Sequence, residues 1–303
     1  MNLSNNLFSA PLAGYTDIAF RRLLREFGAG LTVTEMVSAK GLHYNSDNTK
    51  ALLKKAECEA PSCVQIFGSE KEFLVRAINS TELDGFDIID INMGCPMPKI
   101  VKNGDGSALL KDTAKAAELV EACAKTGRNI TVKMRLGWDS AAGAVSFARA
   151  MQNSGAKLVS VHGRTTAQMY GGKADWDEIG SVAAALDIPV IGNGDVADAA
   201  TAEFVLKTYP VAGVMIGRGA LGKPDIFARL TGRETPPLKD IILRHIAYMR
   251  EYFSERYTVT NMRKHLACYL KGVPGMKKLR QEINYIESAD VLIERIESAF
   301  TRE

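Results

Sequence analysis

One stretch decides how this chain folds: Phe86-Asp87-Ile88-Ile89-Asp90-Ile91-Asn92-Met93-Gly94-Cys95-Pro96. Its apolar beginning, residues 86–91, is typical of a strand that is buried on both faces of a parallel sheet. Gly94 and Pro96 disfavour both helix and strand, so Cys95 is predicted on a loop just past the carboxyl end of that strand. A thiol in that position can face a pocket, whereas a structural cysteine is more often buried inside an element.

Seven further apolar, β-branched runs have the same character and alternate with segments of helical periodicity. The eight predicted strands span residues 7–10, 31–36, 62–67, 86–92, 129–134, 158–162, 188–193 and 212–217. Among the helices between them, residues 112–126 carry apolar side chains on one face, and Asp198 has the chemistry of an N-cap. Eight such units predict a (β/α)8 TIM barrel, with a doubly wound open sheet as the alternative.

Two features divide the chain further. Residues 38–61 are longer than an ordinary connection and are predicted to be an insertion at the catalytic end of the barrel. After Pro236-Pro237 the strand pattern stops, and amphipathic helix faces occur at residues 242–253 and 292–299. We therefore predict a barrel domain, residues 1–237, followed by a bundle of about four helices, residues 238–303.

The composition is that of an ordinary globular protein, with 46% hydrophobic and 24% charged residues. No apolar run approaches the ~18 residues of a membrane span, and residues 1–6 lack the basic and apolar segments of a signal peptide. Five cysteines without C-x-x-C spacing argue against a disulfide framework or a zinc site. We therefore expect a cytoplasmic protein without a membrane segment or a bound metal.

The net charge of +3 is unevenly distributed along the chain. Residues 1–237 carry equal numbers of basic and acidic side chains, so the basic excess lies in the predicted helical domain. Within it, residues 256–281 contain seven basic side chains and no acidic one. This segment, called the basic segment below, is either a surface that follows RNA phosphates or an ordinary solvated face.

Polar groups and glycines end nearly all of the predicted strands, which is where barrel enzymes have their active sites. In chain order they are Pro11-Leu12-Ala13-Gly14, Glu35, Gln65, Asn92 with Cys95, Lys133 with Arg135, His162 with Arg164, Asn193-Gly194-Asp195 and Gly217-Arg218-Gly219. Each one alone has an ordinary structural explanation. Their joint position around one rim is hard to explain by core packing, so we predict an active site there.

The last two motifs, residues 192–195 and 217–219, suit a phosphate, because glycines let backbone N–H groups approach it and barrels often bind phosphate there. The alternative is that these glycines only make tight turns. Lys133 is either a Schiff-base lysine or a cation beside the pyrimidine edge of a flavin. In the second case, Gln65 could form a hydrogen bond with the flavin ring. His162 is equally compatible with a partly buried structural role and with a cofactor contact.

Seven segments of the barrel, in a fixed order, match the motifs of one known family. They are Ala10-Pro11-Leu12-Ala13-Gly14-Tyr15-Thr16-Asp17, Asn92-Met93-Gly94-Cys95-Pro96, Gly106-Ser107-Ala108-Leu109-Leu110, Val132-Lys133-Met134-Arg135-Leu136-Gly137-Trp138, His162-Gly163-Arg164-Thr165, Asn193-Gly194-Asp195-Val196 and Ile216-Gly217-Arg218-Gly219-Ala220. Arg263-Lys264-His265 and Tyr269-Leu270 match in the predicted helical domain. Over essentially its whole length the chain resembles the bacterial tRNA-dihydrouridine synthases, and most closely their B-type branch.

The resemblance implies a flavoenzyme whose barrel binds FMN and whose helical domain binds tRNA. The implied cofactor-binding residues are Pro11, Leu12, Ala13, Gln65, Lys133 and His162, with Asn193, Gly194, Asp195, Gly217 and Arg218 holding the ribityl phosphate. Cys95 would be the proton donor, and Asn92 and Arg164 would contact the target uracil. Further binding of the RNA substrate would come from Arg135, Arg263 and Lys264.

The implied reaction reduces the C5=C6 bond of a uridine. NADPH or NADH reduces FMN, the flavin N5 delivers a hydride to C6, and Cys95 donates a proton to C5. A thiol with an ordinary pKa of ~8.5 is mostly protonated at neutral pH, as a general acid should be. The base must leave its stack to react, which costs less in a tRNA D-loop with splayed bases.

The chain departs from the family pattern at two places. Leu12 stands where the family often has Met, which conserves side-chain volume. Lys223-Pro224-Asp225-Ile226-Phe227 stands where the family commonly has Asn-Pro-Trp-Ile-Phe. The second departure affects the expected packing under the last barrel helix. It does not affect the expected cofactor site.

Two other functions stay open from the sequence. A free-pyrimidine or dihydroorotate-type flavin oxidoreductase would share the barrel, FMN and a catalytic cysteine, but would not need the basic helical domain. A flavin-free RNA-binding protein would be colourless and unaffected by Cys95→Ala. The sequence also leaves open which uridines are reduced, whether the substrate is tRNA or ribosomal RNA, and whether the protein is a monomer, which we expect, or a dimer.

Overall fold

The eight predicted strands form one parallel sheet in the computed structural model, which describes residues 4–301. They are β1 (Leu7–Ser9), β2 (Val33–Ser38), β3 (Cys63–Phe67), β4 (Ile88–Met93), β5 (Ile130–Arg135), β6 (Val159–His162), β7 (Val190–Asn193) and β8 (Gly213–Ile216). Residues 1–3, part of the segment expected to lack a signal peptide, and residues 302–303 of the predicted helical domain lie outside the described part.

The order of the strands closes the sheet into a barrel. Each strand pairs in parallel with its neighbours in the order β1-β8-β7-β6-β5-β4-β3-β2. The two outer strands meet where Phe8 pairs with Leu31 and the Ser9 N–H donates to the Leu31 carbonyl over 2.8 Å. The predicted (β/α)8 barrel is therefore confirmed, and the open doubly wound sheet is excluded.

The strand bounds agree with the prediction to within two residues, and β2 is shifted by two residues at both of its ends. The sequence predicts the second strand at residues 31–36, whereas β2 spans Val33–Ser38. Leu31 closes the barrel against β1, outside the ladder that β2 forms with β3. A register shift between Val33 and Met36 then lets the pairing with β3 continue to Ser38.

Fourteen α-helices lie between and after the strands within residues 4–301. They are α1 (Ile18–Glu26), α2 (Ala39–His43), α3 (Asp47–Ala51), α4 (Lys71–Ile78), α5 (Pro98–Val101), α6 (Thr113–Ala124), α7 (Ala144–Asn153), α8 (Trp176–Ala185), α9 (Ala199–Thr208), α10 (Ile226–Leu230), α11 (Leu238–Tyr252), α12 (Glu255–Tyr269), α13 (Lys277–Glu282) and α14 (Ala289–Phe300). In this part of the chain, none of the helices has the length and apolar character needed to cross a bilayer.

Aspartate residues that are recognisable in the sequence cap the N-termini of two of these helices. The helix predicted at residues 112–126 is α6, and the Asp112 carboxylate caps it by accepting from the Lys115 N–H. Asp198 caps α9 by accepting from the Thr201 N–H. The insertion predicted at residues 38–61 contains α2 and α3, which follow the carboxyl end of β2.

The predicted C-terminal bundle is present as the four helices α11 to α14. Two of these helices, α11 and α12, pack against α1 of the barrel. Ile242 of α11 and Met262 of α12 are buried in the same apolar cluster as Phe20 and Leu23 of α1. Because burial of apolar surface is the main favourable contribution to folding, this shared core holds the bundle against the first barrel helix.

A separate group of side chains fills the interior of the barrel. Phe8, Val33, Ile88 and Met215 belong to this buried cluster. Met215 also lines the cavity that opens above it, at the carboxyl ends of the strands. The barrel interior is therefore a packed core, and Met215 separates it from the cavity.

A buried ion pair joins α1 to the insertion after β2. Arg21 is 1% exposed, and its Nε lies 2.7 Å from Glu59 Oε2. Glu59 also accepts hydrogen bonds from Thr32 Oγ1 and the Ala56 N–H, each over 2.9 Å. Arg21 Nη1 donates to the Thr16 carbonyl over 2.8 Å, so both ions keep hydrogen-bond partners that replace their lost hydration.

Replacing Arg21 by methionine should lower the free energy of unfolding by about 3–5 kcal/mol, because the Glu59 carboxylate would stay buried without its partner. Lys207→Met is the matched control, since Lys207 forms an exposed ion pair with Glu203 and its loss should have little effect. Urea unfolding followed by circular dichroism measures both variants. Equal, small losses of stability would show that the buried pair does not stabilise the fold.

Candidate active site

A cavity of about 560 Å³ opens at the carboxyl ends of the strands. Its wall contains all the predicted cofactor-binding residues: Pro11, Leu12, Ala13, Gln65, Lys133, His162, Asn193, Gly194, Asp195, Gly217 and Arg218. The predicted proton donor and three predicted substrate contacts line it as well: Cys95, Asn92, Arg135 and Arg164. Parallel pairing aligns the ends of neighbouring strands and so brings together residues that are distant in sequence.

Asn92 holds the backbone of the loop that carries Cys95. Its Oδ1 accepts from the Gly94 N–H over 3.1 Å and from the Cys95 N–H over 2.9 Å. Its Nδ2 donates to Gln65 Oε1 over 2.7 Å, and Gln65 Nε2 donates to Asp90 Oδ2 over 2.7 Å. Asn92 therefore positions Cys95, and the Gln65 amide is held between two other side chains.

Gly106 supports the Cys95 loop from the other side. It adopts a φ of +60°, and a Cβ atom at this position would lie 2.9 Å from the Cys95 carbonyl oxygen. The neighbouring Ser107 N–H donates to that oxygen over 3.1 Å. A glycine is therefore required at position 106, both by the backbone conformation and by the close approach.

The Cys95 thiol is half-buried in the cavity wall. Burial raises the pKa of the thiol above its ordinary value, although the Met97 N–H and the positive charges of Arg135 and Lys133 act in the opposite direction. The thiol is therefore protonated at neutral pH. This is the state that a general acid needs before it donates a proton.

Lys133 reaches from β5 to β7, where its Nζ donates to Asn193 Oδ1 over 3.1 Å. Asn193 Nδ2 donates in turn to the Met215 carbonyl over 2.7 Å, which fixes the orientation of the amide. Burial and, next, repulsion by Arg135 lower the pKa of Lys133 to about 8. Lys133 is therefore mostly a cation at neutral pH and loses its proton in mildly alkaline solution.

Arg135 joins two loops of the cavity wall. Its Nε donates to the Gly94 carbonyl over 2.8 Å, and its Nη1 donates to the carbonyls of Thr165 and Met169 over 2.8 and 2.7 Å. Burial is the main reason that the pKa of Arg135 falls to about 10, so the guanidinium stays charged. Arg135 thus fixes the Cys95 loop against the loop that follows β6.

Arg164 and Asp195 form a second connection in the wall. Arg164 is 2% exposed, and its Nη2 lies 2.8 Å from both carboxylate oxygens of Asp195. Its Nε donates to the Gly171 carbonyl over 2.9 Å, and Asp195 also accepts from the Ala174 N–H over 2.8 Å. Burial alone would raise the pKa of Asp195, but the hydrogen bonds from Arg164 and Ala174 outweigh it and keep the pKa below its ordinary value.

His162 is a neutral imidazole in this site. Burial, followed by the charges of Lys133, Arg135, Arg164 and Arg218, lowers its pKa to about 2. Its Nε2 lies 3.2 Å from Arg164 Nη1, which suits an acceptor nitrogen. The positive charge of the cavity therefore comes from lysine and arginine side chains, and His162 contributes an uncharged hydrogen-bonding group.

The two glycine motifs lie against neighbouring loops at one end of the cavity. Gly194 adopts a φ of +137°, and a Cβ atom there would lie 2.5 Å from the Cβ of Ala174. A Cβ atom on Gly219 would clash with the Val196 carbonyl oxygen. Packing between loops is enough to require both glycines, so no phosphate is needed to explain them. Arg218, whose side chain is 54% exposed, adds positive charge at this end.

Sequence reasoning missed several residues of the cavity wall, among them Met36, Met97, Tyr170 and Met215. Tyr170 is 50% exposed, and its ring centre lies 5.6 Å from Arg135 Cζ and 5.8 Å from Arg218 Cζ. An aromatic residue beside Gly171-Gly172, in a loop at the catalytic end, is the signal that could have indicated it.

Three of the residues singled out in the sequence lie outside the cavity. Glu35 Oε2 accepts a hydrogen bond from the Gly14 N–H, in the loop between β1 and α1. Arg263 is half-buried on α12, where its Nη2 donates to the Ile286 carbonyl over 3.1 Å. Lys264 is also half-buried, and its Nζ lies 5.2 Å from the centre of the Tyr15 ring. The basic segment is therefore not one exposed face, because part of its charge lies within the bundle.

The cysteines are separate from one another. All five are free thiols, of which Cys63 and Cys123 are buried and Cys58 is exposed. Cys95 lines the cavity. Among residues 4–301, no group of three or more histidine, cysteine, aspartate or glutamate side chains is arranged to hold a metal ion.

The barrel and its cavity define an enzyme with its site at the carboxyl ends of the strands, and comparison with known proteins identifies its family. Residues 8–303 match the family described as Dihydrouridine synthase (Dus). The chain is 38% identical over 320 residues to a "Probable tRNA-dihydrouridine synthase" of Rickettsia bellii (strain RML369-C), covering 100% of this chain and 98% of the relative. It is 36% identical over 311 residues to "tRNA-dihydrouridine synthase B" of Pseudomonas putida, covering 99% and 92%. The chain therefore belongs to the dihydrouridine synthase family, as its motifs predict.

Solved structures support the fold. Histamine dehydrogenase from Rhizobium sp. 4-9 superposes with a TM-score of 0.61 at 15% identity, covering 81% of this chain and 49% of that chain. A 2-naphthoyl-CoA reductase in complex with 2-naphthoyl-CoA superposes with a TM-score of 0.59 at 11% identity, covering 76% and 50%. At such identities the likeness shows the shared barrel and nothing about the substrate.

Cys95 should react slowly with iodoacetamide at neutral pH, because burial raises the pKa of the thiol and only the thiolate attacks. Mass spectrometry across neutral and alkaline pH should give an apparent pKa for Cys95 modification above that of an ordinary thiol. The same cysteine in urea-unfolded protein provides the reference for an ordinary thiol. A Cys95 pKa below that reference would contradict the assignment of Cys95 as an acid.

Proposed function

We propose that this protein reduces the C5=C6 bond of uridine in tRNA to give dihydrouridine, with FMN as cofactor and NADPH or NADH as reductant. One observation carries the proposal: the protonated thiol of Cys95 lies in the wall of a cavity that also contains four cations. The cations are Lys133, Arg135, Arg164 and Arg218. A proton donor beside positive charge suits a reaction in which a base gains a hydride and then a proton. The names of the relatives from Rickettsia bellii and Pseudomonas putida support tRNA as the substrate.

The cavity fits a flavin mononucleotide. Its volume of about 560 Å³ lies within the range of about 300–1,000 Å³ that is usual for cofactor sites. The described lining residues include four cations and one acidic side chain, Asp195. This excess of positive charge favours an anionic ligand such as a phosphate. We assign the flavin ring to Pro11, Leu12, Ala13, Gln65, Lys133 and His162, and the ribityl phosphate to Asn193, Gly194, Asp195, Gly217 and Arg218.

FMN held by these residues and reduced by NADPH or NADH would supply the hydride that the uracil accepts at C6. Cys95 donates its proton to C5, so the π bond is replaced by two new C–H bonds and the charge balances. The positive charges of Arg135 and Lys133 favour the thiolate that remains, which regains a proton from solvent. Asn92 keeps the Cys95 backbone in place during the transfer.

The target base must be extruded from its stack to reach this cavity. We propose that Asn92 and Arg164, which line the cavity with Cys95, contact the extruded uracil. Arg135 contributes positive charge at the same wall and anchors the Cys95 loop, which makes its contribution to substrate binding indirect.

We assign tRNA binding to a helical domain, residues 238–303, attached to a catalytic barrel domain, residues 1–237. The exposed basic side chains of the basic segment are Arg256, Lys271, Lys277, Lys278 and Arg280. Exposed cations of this kind can contact RNA phosphates. Arg263 and Lys264 are proposed as further RNA contacts, although both are half-buried. We propose that the protein works as a monomer in the cytoplasm, where tRNA is modified.

Replacing Cys95 by alanine should lower the rate of dihydrouridine formation by about 10²–10⁴-fold, because the proton donor is lost while the cavity stays intact. Nucleoside mass spectrometry of tRNA and ribosomal RNA, from cells that lack the gene and carry each variant, measures the product. Cys58→Ala is the matched control, since Cys58 is an exposed thiol outside the cavity and should restore full modification.

Dihydrouridine that is unchanged by loss of the gene in both RNA fractions, with no redundant enzyme present, would contradict the proposal. Efficient reduction of free uracil or uridine by the purified protein would favour a free-pyrimidine reductase instead. Loss of dihydrouridine from ribosomal RNA alone would keep the chemistry and change the substrate.

A further inference from the structure

One wall of the cavity is supported in part from outside the barrel. The loop between β1 and α1, residues 10–17, contributes Pro11, Leu12 and Ala13 to this wall. Within the loop, Leu12 and Thr16 are joined by two hydrogen bonds of 2.9 and 3.2 Å. Glu35 of β2 contacts the loop from one side. The other side of the loop lies against α12 of the C-terminal bundle.

Three side chains of α12 contact this loop. Asn261 Nδ2 donates to Asp17 Oδ2 over 2.9 Å, while the other oxygen of Asp17 caps α1. Lys264 Nζ lies 5.2 Å from the centre of the Tyr15 ring. The His265 ring meets Tyr15 edge-on, with 5.3 Å between the ring centres. The end of the loop is therefore fixed to α12 by one hydrogen bond and two ring contacts.

The same helix contacts the segment that follows β8. Gly222 adopts a φ of +76°, and a Cβ atom there would lie 2.5 Å from the Cys268 carbonyl oxygen and 3.0 Å from the Tyr269 nitrogen. Gly222 lies two residues after the 3₁₀ turn Arg218–Ala220, whose first residues line the cavity. α12 is thus in contact with both segments to which we assign the flavin ring and its phosphate.

We propose that α12 positions the cofactor-binding walls, with Asn261 and Lys264 as positioning residues, so that the helical bundle is part of the flavin site as well as the RNA-binding domain. The inference rests on the proposed function, because it takes FMN as the ligand. If the wall is in its binding-competent conformation for only a fraction of the time, the apparent dissociation constant rises by the inverse of that fraction. Contacts from α12 keep the loop ordered before the ligand arrives, which removes that loss.

The dissociation of FMN from the full-length holoprotein tests this inference. Asn261→Ala and Lys264→Met should each raise the dissociation constant for FMN by about five-fold or more, at a temperature where circular dichroism shows both variants folded. Thr260→Ala is the matched control, because Thr260 Oγ1 bonds to the carbonyls of Arg256 and Tyr257 within α12, and it should bind FMN as the wild type does. The fluorescence of FMN released on dilution gives the dissociation constant.

FMN affinities of Asn261→Ala and Lys264→Met equal to that of Thr260→Ala would overturn the inference and leave the proposed function standing. A wild-type protein that binds no FMN would overturn the proposed function instead. A purely structural role of α12 would lower the thermal midpoint without changing the FMN affinity of the folded variants. Lys264→Met keeps the apolar stem of a half-buried side chain and provides a folded variant if Asn261→Ala does not fold.

Discussion

Closure of the parallel sheet is the constraint on which the site depends. All eight strands run in one direction, and the pairing of Phe8 with Leu31 closes the ring, so the carboxyl ends of the strands share one rim. Leu12 and Arg218, near opposite ends of the barrel sequence, therefore line one cavity. The packed interior below, with Met215 at its top, leaves the space for a ligand on the side where the polar residues are.

Within this rim, a chain of mostly buried hydrogen bonds links the barrel core to the backbone of Cys95. Thr131 Oγ1 donates to Asp90 over 2.6 Å, and the chain continues through Gln65 and Asn92 to the Cys95 backbone. Because buried polar groups are costly unless they are paired, each member of the chain is stabilised by the next. The site is thus held from below by the barrel and, as we propose, from the side by α12.

The sequence predicts the barrel and most of the cavity wall, because apolar runs, glycines and polar residues at strand ends are local signals. Cys95 is an example, since its flanking glycine and proline are enough to place it on a loop. The bounds of β2 depend on Leu31 contacting Phe8, which no local pattern contains. Tyr170 lies on the loop after β6, whose backbone accepts hydrogen bonds from Arg135 of β5 and from Arg164 at the start of the same loop. A count of charged residues in the sequence identifies the basic segment. It does not show that Arg263 points into the bundle, where it donates to the Ile286 carbonyl.

Single-turnover reaction of the reduced protein with tRNA tests most directly whether Cys95 and the flavin cavity act in one reaction. Dithionite-reduced holoprotein is mixed with tRNA that lacks dihydrouridine, and the visible absorption of oxidised flavin is followed. It should return as one dihydrouridine forms per flavin, and the return should be about 10²–10⁴-fold slower in Cys95→Ala. Return at the same rate in Cys95→Ala, or without formation of dihydrouridine, would contradict the assignment.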